Sequence, residues 1–147
     1  MAPARSSPRT RPWSCPSRTT DTAGGRGGSG PGHLDAVALR YAAEVSGGVD
    51  EIALTHLDTA ARHRELRVCE AYRAGGERIG RLAPGPARDL GYQEQLTAML
   101  LRARPVYTDP GGDWAGIVEQ ATGAAVTLLS SGPKPIDKRL RLKIPHH

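Results

Sequence analysis

The chain has no phenylalanine, and aromatic residues make up only 4% of its 147 positions. Any core must therefore be assembled from Leu, Val, Ile and Ala. Cysteine is nearly absent too. Cys15 and Cys69 are far apart, with no metal-spaced cluster and no Cys-x-x-Cys pair, so a reducing, cytoplasmic setting is expected. No run approaches the roughly 18 apolar residues of a membrane span. The start of the chain lacks the apolar stretch of a secretory signal. There is no glycine-rich phosphate loop ending in Lys, and no set of nucleophile, base and orienting group stands out. Hydrolytic chemistry of the serine or cysteine type has no visible carrier.

What is abundant is glycine and proline, 18 and 12 residues, enough to suggest that part of the chain does not pack. The net charge of +5 is unevenly spread. Residues 1–33 and 134–147 each carry +4, whereas the middle, 34–133, carries −3. Basicity therefore belongs to two arms. Both lack apolar periodicity and are expected to be disordered and solvated. Such arms can bind nucleic acid or acidic surfaces weakly. His146 and His147 end the chain, but two ligands without a third make a poor metal site.

Between the arms, hydrophobic spacing outlines the elements. Leu34, Val37, Ala38, Tyr41, Ala42 and Val45 repeat at helical period and predict a helix over 34–45, with Asp35 in its first turn. Ser46-Gly47-Gly48 stops it. Residues 51–55 read as a short strand, and 60–64 as a loop. Leu66, Val68 and Tyr72 alternate with Arg67, Cys69 and Arg73, a strand with one wetter face. Gly75-Gly76 turns it into a return strand over 77–82. Helices are expected at 88–103 and 113–122, with a loop through Pro105, Pro110, Gly111 and Gly112 between them. Gly123 ends the second helix, and 124–129 is a continuous apolar run that predicts a buried strand. The fold class is α/β, with a small, mostly parallel sheet, flanking helices, a β-hairpin and disordered termini.

Two strands end in polar clusters, Thr55-His56-Leu57-Asp58 and Ser130-Ser131-Gly132-Pro133. Open α/β sheets bind ligands at the carboxyl ends of their strands. Asp58 is the leading candidate, because one carboxylate can accept both the N1–H and the 2-amino group of guanine, a donor pair that adenine lacks. The plain alternative is that Asp58 caps a turn. His56 could stack on a base or sit in a surface loop. Ser130, Ser131 and Gly132 could offer hydroxyls and backbone N–H groups, or form an ordinary turn. Tyr41, Met99 and Trp114 lie on helical stripes and read as core.

Five segments resemble the adenylosuccinate synthetase family, in order, over about residues 32–133. Residues 32–42, Gly-His-Leu-Asp-Ala-Val-Ala-Leu-Arg-Tyr-Ala, are similar to its Gly-Trp-Phe/Leu-Asp-Ala-Val-Ala-Leu-Arg-Tyr-Ala. Ile52-Ala53-Leu54-Thr55-His56-Leu57-Asp58 resembles Leu-Ala-Leu-Thr-Lys-Leu-Asp. Arg67-Val68-Cys69-Glu70-Ala71-Tyr72 is similar to Lys-Ile/Val-Cys-x-Ala-Tyr, and Arg104-Pro105-Val106-Tyr107-Thr108 to Pro-Val-Tyr-Glu. Thr122-Gly123 followed by residues 126–133 resembles the Thr-Gly-x-Pro-Val…Ser-x-Gly-Pro ending.

The resemblance implies the C-terminal part of an enzyme that joins L-aspartate to inosine monophosphate with hydrolysis of GTP, in purine nucleotide synthesis. It assigns the guanine base to His56, Leu57 and Asp58 and to Ser130, Ser131 and Gly132. It implies Mg2+ as well, but the family's metal ligands, phosphate loop and catalytic Asp and His have no counterpart here, so no catalytic residue is carried over. His56 stands where the family has Lys. The stretch 24–31 contains only Arg26 where the family has an Arg-rich loop for aspartate, and residues 1–31 match none of its pattern. The expected organisation is an unrelated segment over 1–31, a family segment over 32–133 and a basic tail over 134–147. The expected protein is a truncated, inactive segment that keeps its guanine loops. Its partners would be a guanine nucleotide and the missing N-terminal half or a second copy. Two other functions stay open: a non-catalytic guanine-nucleotide-binding module, and a small basic nucleic-acid-binding protein.

Overall fold

The structure is a computed structural model and describes residues 32–141. The arm over 1–31, including Cys15 and Arg26, and the terminal His146 and His147 lie outside the described residues.

The first helix starts later than its apolar stripe suggests. Leu34–Asp35 is a short strand, β1, and the helix α1 covers Ala36–Val45. Asp35 is its N-cap rather than a first-turn residue, and its carboxylate accepts the Ala38 N–H at 2.9 Å. The shift rotates the buried face. Ala36, Val37 and Ala43 are buried, whereas Val45 at the far end is 52% exposed. The expected glycine stop holds: Gly48 N–H closes on Ala43 O at 2.9 Å, and Gly47 takes a φ of 85°.

Glu51–Leu54 forms β2. The expected loop at 60–64 is largely a short helix, α2, Leu57–Arg62. His56 O accepts the N–H groups of Thr59 and Ala60 at 3.0 and 3.1 Å, which starts the turn. Asp58 in the first turn and Arg62 in the last suit the helix dipole.

Val68–Ala74 (β3) and Glu77–Ile79 (β4) make the hairpin, joined at Gly75 and Gly76 with φ of 60° and 88°. Positive φ at both central residues is what a two-residue hairpin turn of matching twist demands. Cys69, expected on the wetter face, is only 3% exposed. The register of β3 against its antiparallel neighbour slips between Cys69 and Ala71, and strict alternation fails there. That neighbour is Arg104–Thr108, β5, in a segment expected to be loop because of Pro105. β5 pairs only with β3, and proline is tolerated on such an edge strand.

Helix α3, Leu90–Leu100, is capped by Asp89, which accepts the Tyr92 N–H at 3.0 Å. It buries no residue. Helix α4, Trp114–Thr122, is capped by Asp113 and closes at Gly123 with φ 75°, as its sequence predicts. Ala125–Ser130 is β6. The tail from 134 carries more structure than its charge suggests. Pro135–Asp137 is a 3-10 turn, and Lys138–Leu140 is a strand, β7.

The α/β class stands, with helices and a hairpin as expected. The strands divide into two small sheets. In one, β1 runs parallel to β3, while β4 and β5 are antiparallel to it. In the other, the order is β2-β6-β7, with β2 and β6 parallel and β7 antiparallel to β6. The core is small. Ala36, Val68 and Ala121 meet at its centre, with Leu34, Leu39, Trp114 and Ile117 packed around them. No helix among the described residues is long and apolar enough to cross a membrane.

Candidate functional site

The parallel pairing of β2 and β6 sets the site. Leu54 lies opposite Leu129 in the register. The segments that follow, 55–58 and 131–133, therefore leave adjacent strands at the same carboxyl end, where α/β sheets place ligands.

On the β2 side, His56 adopts a left-handed conformation, φ 62° and ψ 28°. A non-glycine residue there is uncommon and costs on the order of 1 kcal/mol, though histidine is among the residues enriched in this region. Its Nδ1 lies 2.9 Å from Thr55 Oγ1, which ties the ring back to the strand end. Leu57 is half-buried and lines a cavity of 560 Å³ with Leu66, Trp114 and Pro110. Of the six candidate residues, only Leu57 lines it. Asp58 is 30% exposed at its side chain, and its Oδ2 accepts a hydrogen bond from Arg62 at 2.8 Å. Desolvation pushes the Asp58 carboxyl up. The Arg62 hydrogen bond and charge, with the N–H groups of Thr59 and Asp58 itself, outweigh it and hold the group below the ordinary aspartate range. Asp58 is thus an ionised acceptor, shared with an exposed cation.

On the β6 side, Ser130 is 5% exposed and its hydroxyl donates to Gly132 O at 3.1 Å. The hydroxyl is spent inside the loop. Ser131 N–H donates to Asp137 O at 3.0 Å, so it too is engaged. Gly132 has a steric reason to be glycine: a Cβ there would lie 2.5 Å from Asp137 Oδ2.

Sequence reasoning passed over Arg62, Asp137 and Lys138. The four-residue spacing of Asp58 and Arg62 on one helix was a usable signal. Asp137 and Lys138 had none, because their role depends on β7 folding back along β6.

A second cavity, of 380 Å³, opens beside β1, β3 and β5, lined among others by His33, Asp35, Cys69, Tyr72 and Tyr107. Tyr72 donates to Asp35 Oδ2 at 2.5 Å. Burial first, and the Asp35 carboxylate second, push the Tyr72 phenol well above its ordinary range. The same two causes raise the Cys69 thiol, so Cys69 is held as the unreactive thiol.

Magnesium finds no fit. Among the described residues, no three His, Cys, Asp or Glu side chains group so as to hold a metal ion. The β2 loop supplies an ionised carboxylate, and the β6 loop retains the Gly132 N–H, which makes no bond among the described residues.

Fold and loops together define an α/β protein whose β2 and β6 loops leave one sheet edge side by side. Sequence comparison makes this more specific. The profile of the family described as adenylosuccinate synthetase matches residues 21–108. That span begins ahead of Gly32 and takes in Asp58, while the Ser131 loop lies beyond it. The adenylosuccinate synthetase of Aquifex aeolicus is 34% identical over 122 residues, covering 70% of this chain and 26% of the relative. That of Chlorobaculum parvum is 33% identical over 121 residues, covering 69% and 25%. That of Thermus thermophilus is 35% identical over 117 residues, covering 72% and 26%. The chain belongs to the adenylosuccinate synthetase family. It spans about a quarter of the length of these curated relatives.

Proposed function

We propose that this chain is the guanine-recognition segment of an adenylosuccinate synthetase-type ligase, acting in the GTP-dependent joining of L-aspartate to inosine monophosphate. His56, Leu57 and Asp58 on one side and the loop of Ser130, Ser131 and Gly132 on the other flank the base, with the Ser130 hydroxyl and the Ser131 N–H bracing that loop. The remaining chemistry, including magnesium binding, belongs to family segments with no counterpart among the described residues, supplied as a further part of the protein or as a partner chain. The observation that carries this reading is the parallel β2–β6 pair, which sends both loops out at one sheet edge.

Asp58 must present an oxygen to the base. Arg62 holds Oδ2, but Arg62 is 64% exposed, and an exposed ion pair of this kind costs little to displace. Guanine's N1–H and 2-amino group then meet the carboxylate, and a site built on such a pair rejects bases that leave it unmatched. Asp58→Asn keeps the size and loses the charge and one acceptor. Xanthine, with a carbonyl at position 2, should gain over guanine by about tenfold, or about 1.4 kcal/mol. Calorimetric titration of GTP, XTP and ATP against wild type and Asp58→Asn tests this. Equal binding of all three by wild type refutes the guanine reading.

A further inference from the structure

The 380 Å³ cavity beside β1, β3 and β5 contains none of the six residues assigned to the base. Its volume falls among those of small-molecule sites, about 300–1,000 Å³. Leu100, Ala103 and Pro105 give it an apolar side.

The polar side is built around one carboxylate. Asp35 Oδ1 accepts the Ala38 N–H at 2.9 Å, and Oδ2 accepts the Tyr72 hydroxyl at 2.5 Å. Each oxygen already holds one hydrogen bond, yet the charge is not cancelled. Among the described residues, no Lys or Arg lines the cavity or pairs with Asp35. The field of this carboxylate reaches the other walls. Burial is the first cause that raises the Cys69 thiol and the Tyr72 and Tyr107 phenols, and the Asp35 charge adds to it in all three.

The third side is aromatic. The His33 and Tyr107 rings meet with centroids 4.6 Å apart and planes tilted by 60°. The Arg67 N–H donates to His33 Nδ1 at 3.0 Å. A backbone N–H only donates, so Nδ1 carries no proton and the ring is neutral. His33 is thus an aromatic wall and not a rival cation.

We propose that this cavity binds a small, free organic cation with a quaternary ammonium head, held by the Asp35 charge and the rings of Tyr72, Tyr107 and His33. Aromatic rings attract such a head through their π-electrons, and a nearby carboxylate adds to the attraction. A quaternary nitrogen has no N–H to satisfy. A primary ammonium has three, and here it must share oxygens that each already hold a bond. A neutral ligand of the same shape gains apolar contact alone.

Calorimetric titration of the full chain with choline, ethanolamine and the neutral carbon isostere of choline tests this. Choline should bind about tenfold tighter than either of the others. Asp35→Asn keeps an oxygen for the α1 cap and loses the charge. It should weaken choline about tenfold, or about 1.4 kcal/mol. Tyr107 is 47% exposed, so replacing it spares the core. Tyr107→Leu should weaken choline several-fold, while Tyr107→Phe keeps wild-type affinity. The Tyr107 pair leaves the cap untouched and decides the matter if Asp35→Asn does not fold. Phosphocholine, the soluble form of a lipid headgroup, brings a phosphate that Asp35 repels and should bind more weakly than choline. Tighter binding of phosphocholine would assign the cavity to a headgroup and overturn the free-cation reading. No choline binding at millimolar concentration overturns the proposal, as does an isostere or ethanolamine that binds as tightly as choline. Unchanged choline affinity in a folded Asp35→Asn or in Tyr107→Leu does so too.

Discussion

Asp58 carries two loads at once. It is the acceptor that the proposal above assigns to guanine, and it is half of an i, i+4 pair with Arg62 on α2. Desolvation pulls the carboxyl up, and the Arg62 hydrogen bond and charge outweigh it and hold the group below its ordinary range. The sign follows for pH. A carboxyl whose folded value lies below its unfolded value contributes fully above the unfolded value, and the contribution is lost as pH falls through the folded one. Guanine binding should therefore be flat from neutrality down to the ordinary aspartate range, near about 3.9, and fail only below it. Arg62→Ala should move the Asp58 midpoint upward, read by carboxyl chemical shift across an acid titration. A midpoint that stays in place would show that Arg62 does not hold the group.

At the scale of elements, β7 separates composition from structure. Its residues are charged and exposed, and nothing in their pattern marks a strand. Yet Ser130 pairs with Lys138 and Leu128 with Leu140. Arg141 then fastens the end: its N–H donates to Thr127 O and its guanidinium to Glu119 Oε1, both at 2.8 Å. Glu119 also accepts the Val126 N–H at 2.8 Å, so one carboxylate joins α4, β6 and the tail. A chain ending at Asp137 should lose about 2 kcal/mol, at about 1 kcal/mol net for each ladder bond and more for the charge-assisted one. For a domain of about 100 residues this lowers the melting temperature by roughly 10 °C. A solvated arm would leave the thermal transition where it is. Elsewhere the elements were legible. The helices at 90–100 and 114–122 and the Gly75-Gly76 turn lie where spacing and glycine put them. The misses share a cause. β5 was hidden by Pro105, which only an edge position tolerates, and α2 by a start at a left-handed histidine instead of a capping side chain.

Among the described residues the core is small and much apolar surface is exposed. The largest fully buried side chains there are two valines, Val37 and Val126. Leu90 at the start of α3 and Leu101 just past its end are 75% and 82% exposed, and Ile136 and Leu140 reach 85% and 84%. The chain spans about a quarter of the length of its curated relatives, and the proposal above leaves the transfer chemistry outside this segment. Purified chain given inosine monophosphate, aspartate, GTP and magnesium should show no adenylosuccinate. Turnover that persists after removal of contaminating enzyme would contradict the division of labour proposed above.

The sequence by itself determined the family, the α/β class and the identity of the two polar loops. Those depend on local pattern: apolar spacing, glycine stops and short motifs in order. Only the tertiary structure decided which groups in those loops remain available. Ser130 looks like a ligand hydroxyl until the loop closes and its proton goes to Gly132 O. Asp137 and Lys138 look like tail charge until β7 lies down beside β6. Hydrogen-bond partners are a matter of distance in space, and a chain that folds back on itself sets those distances through strand pairing, which residue order alone does not encode.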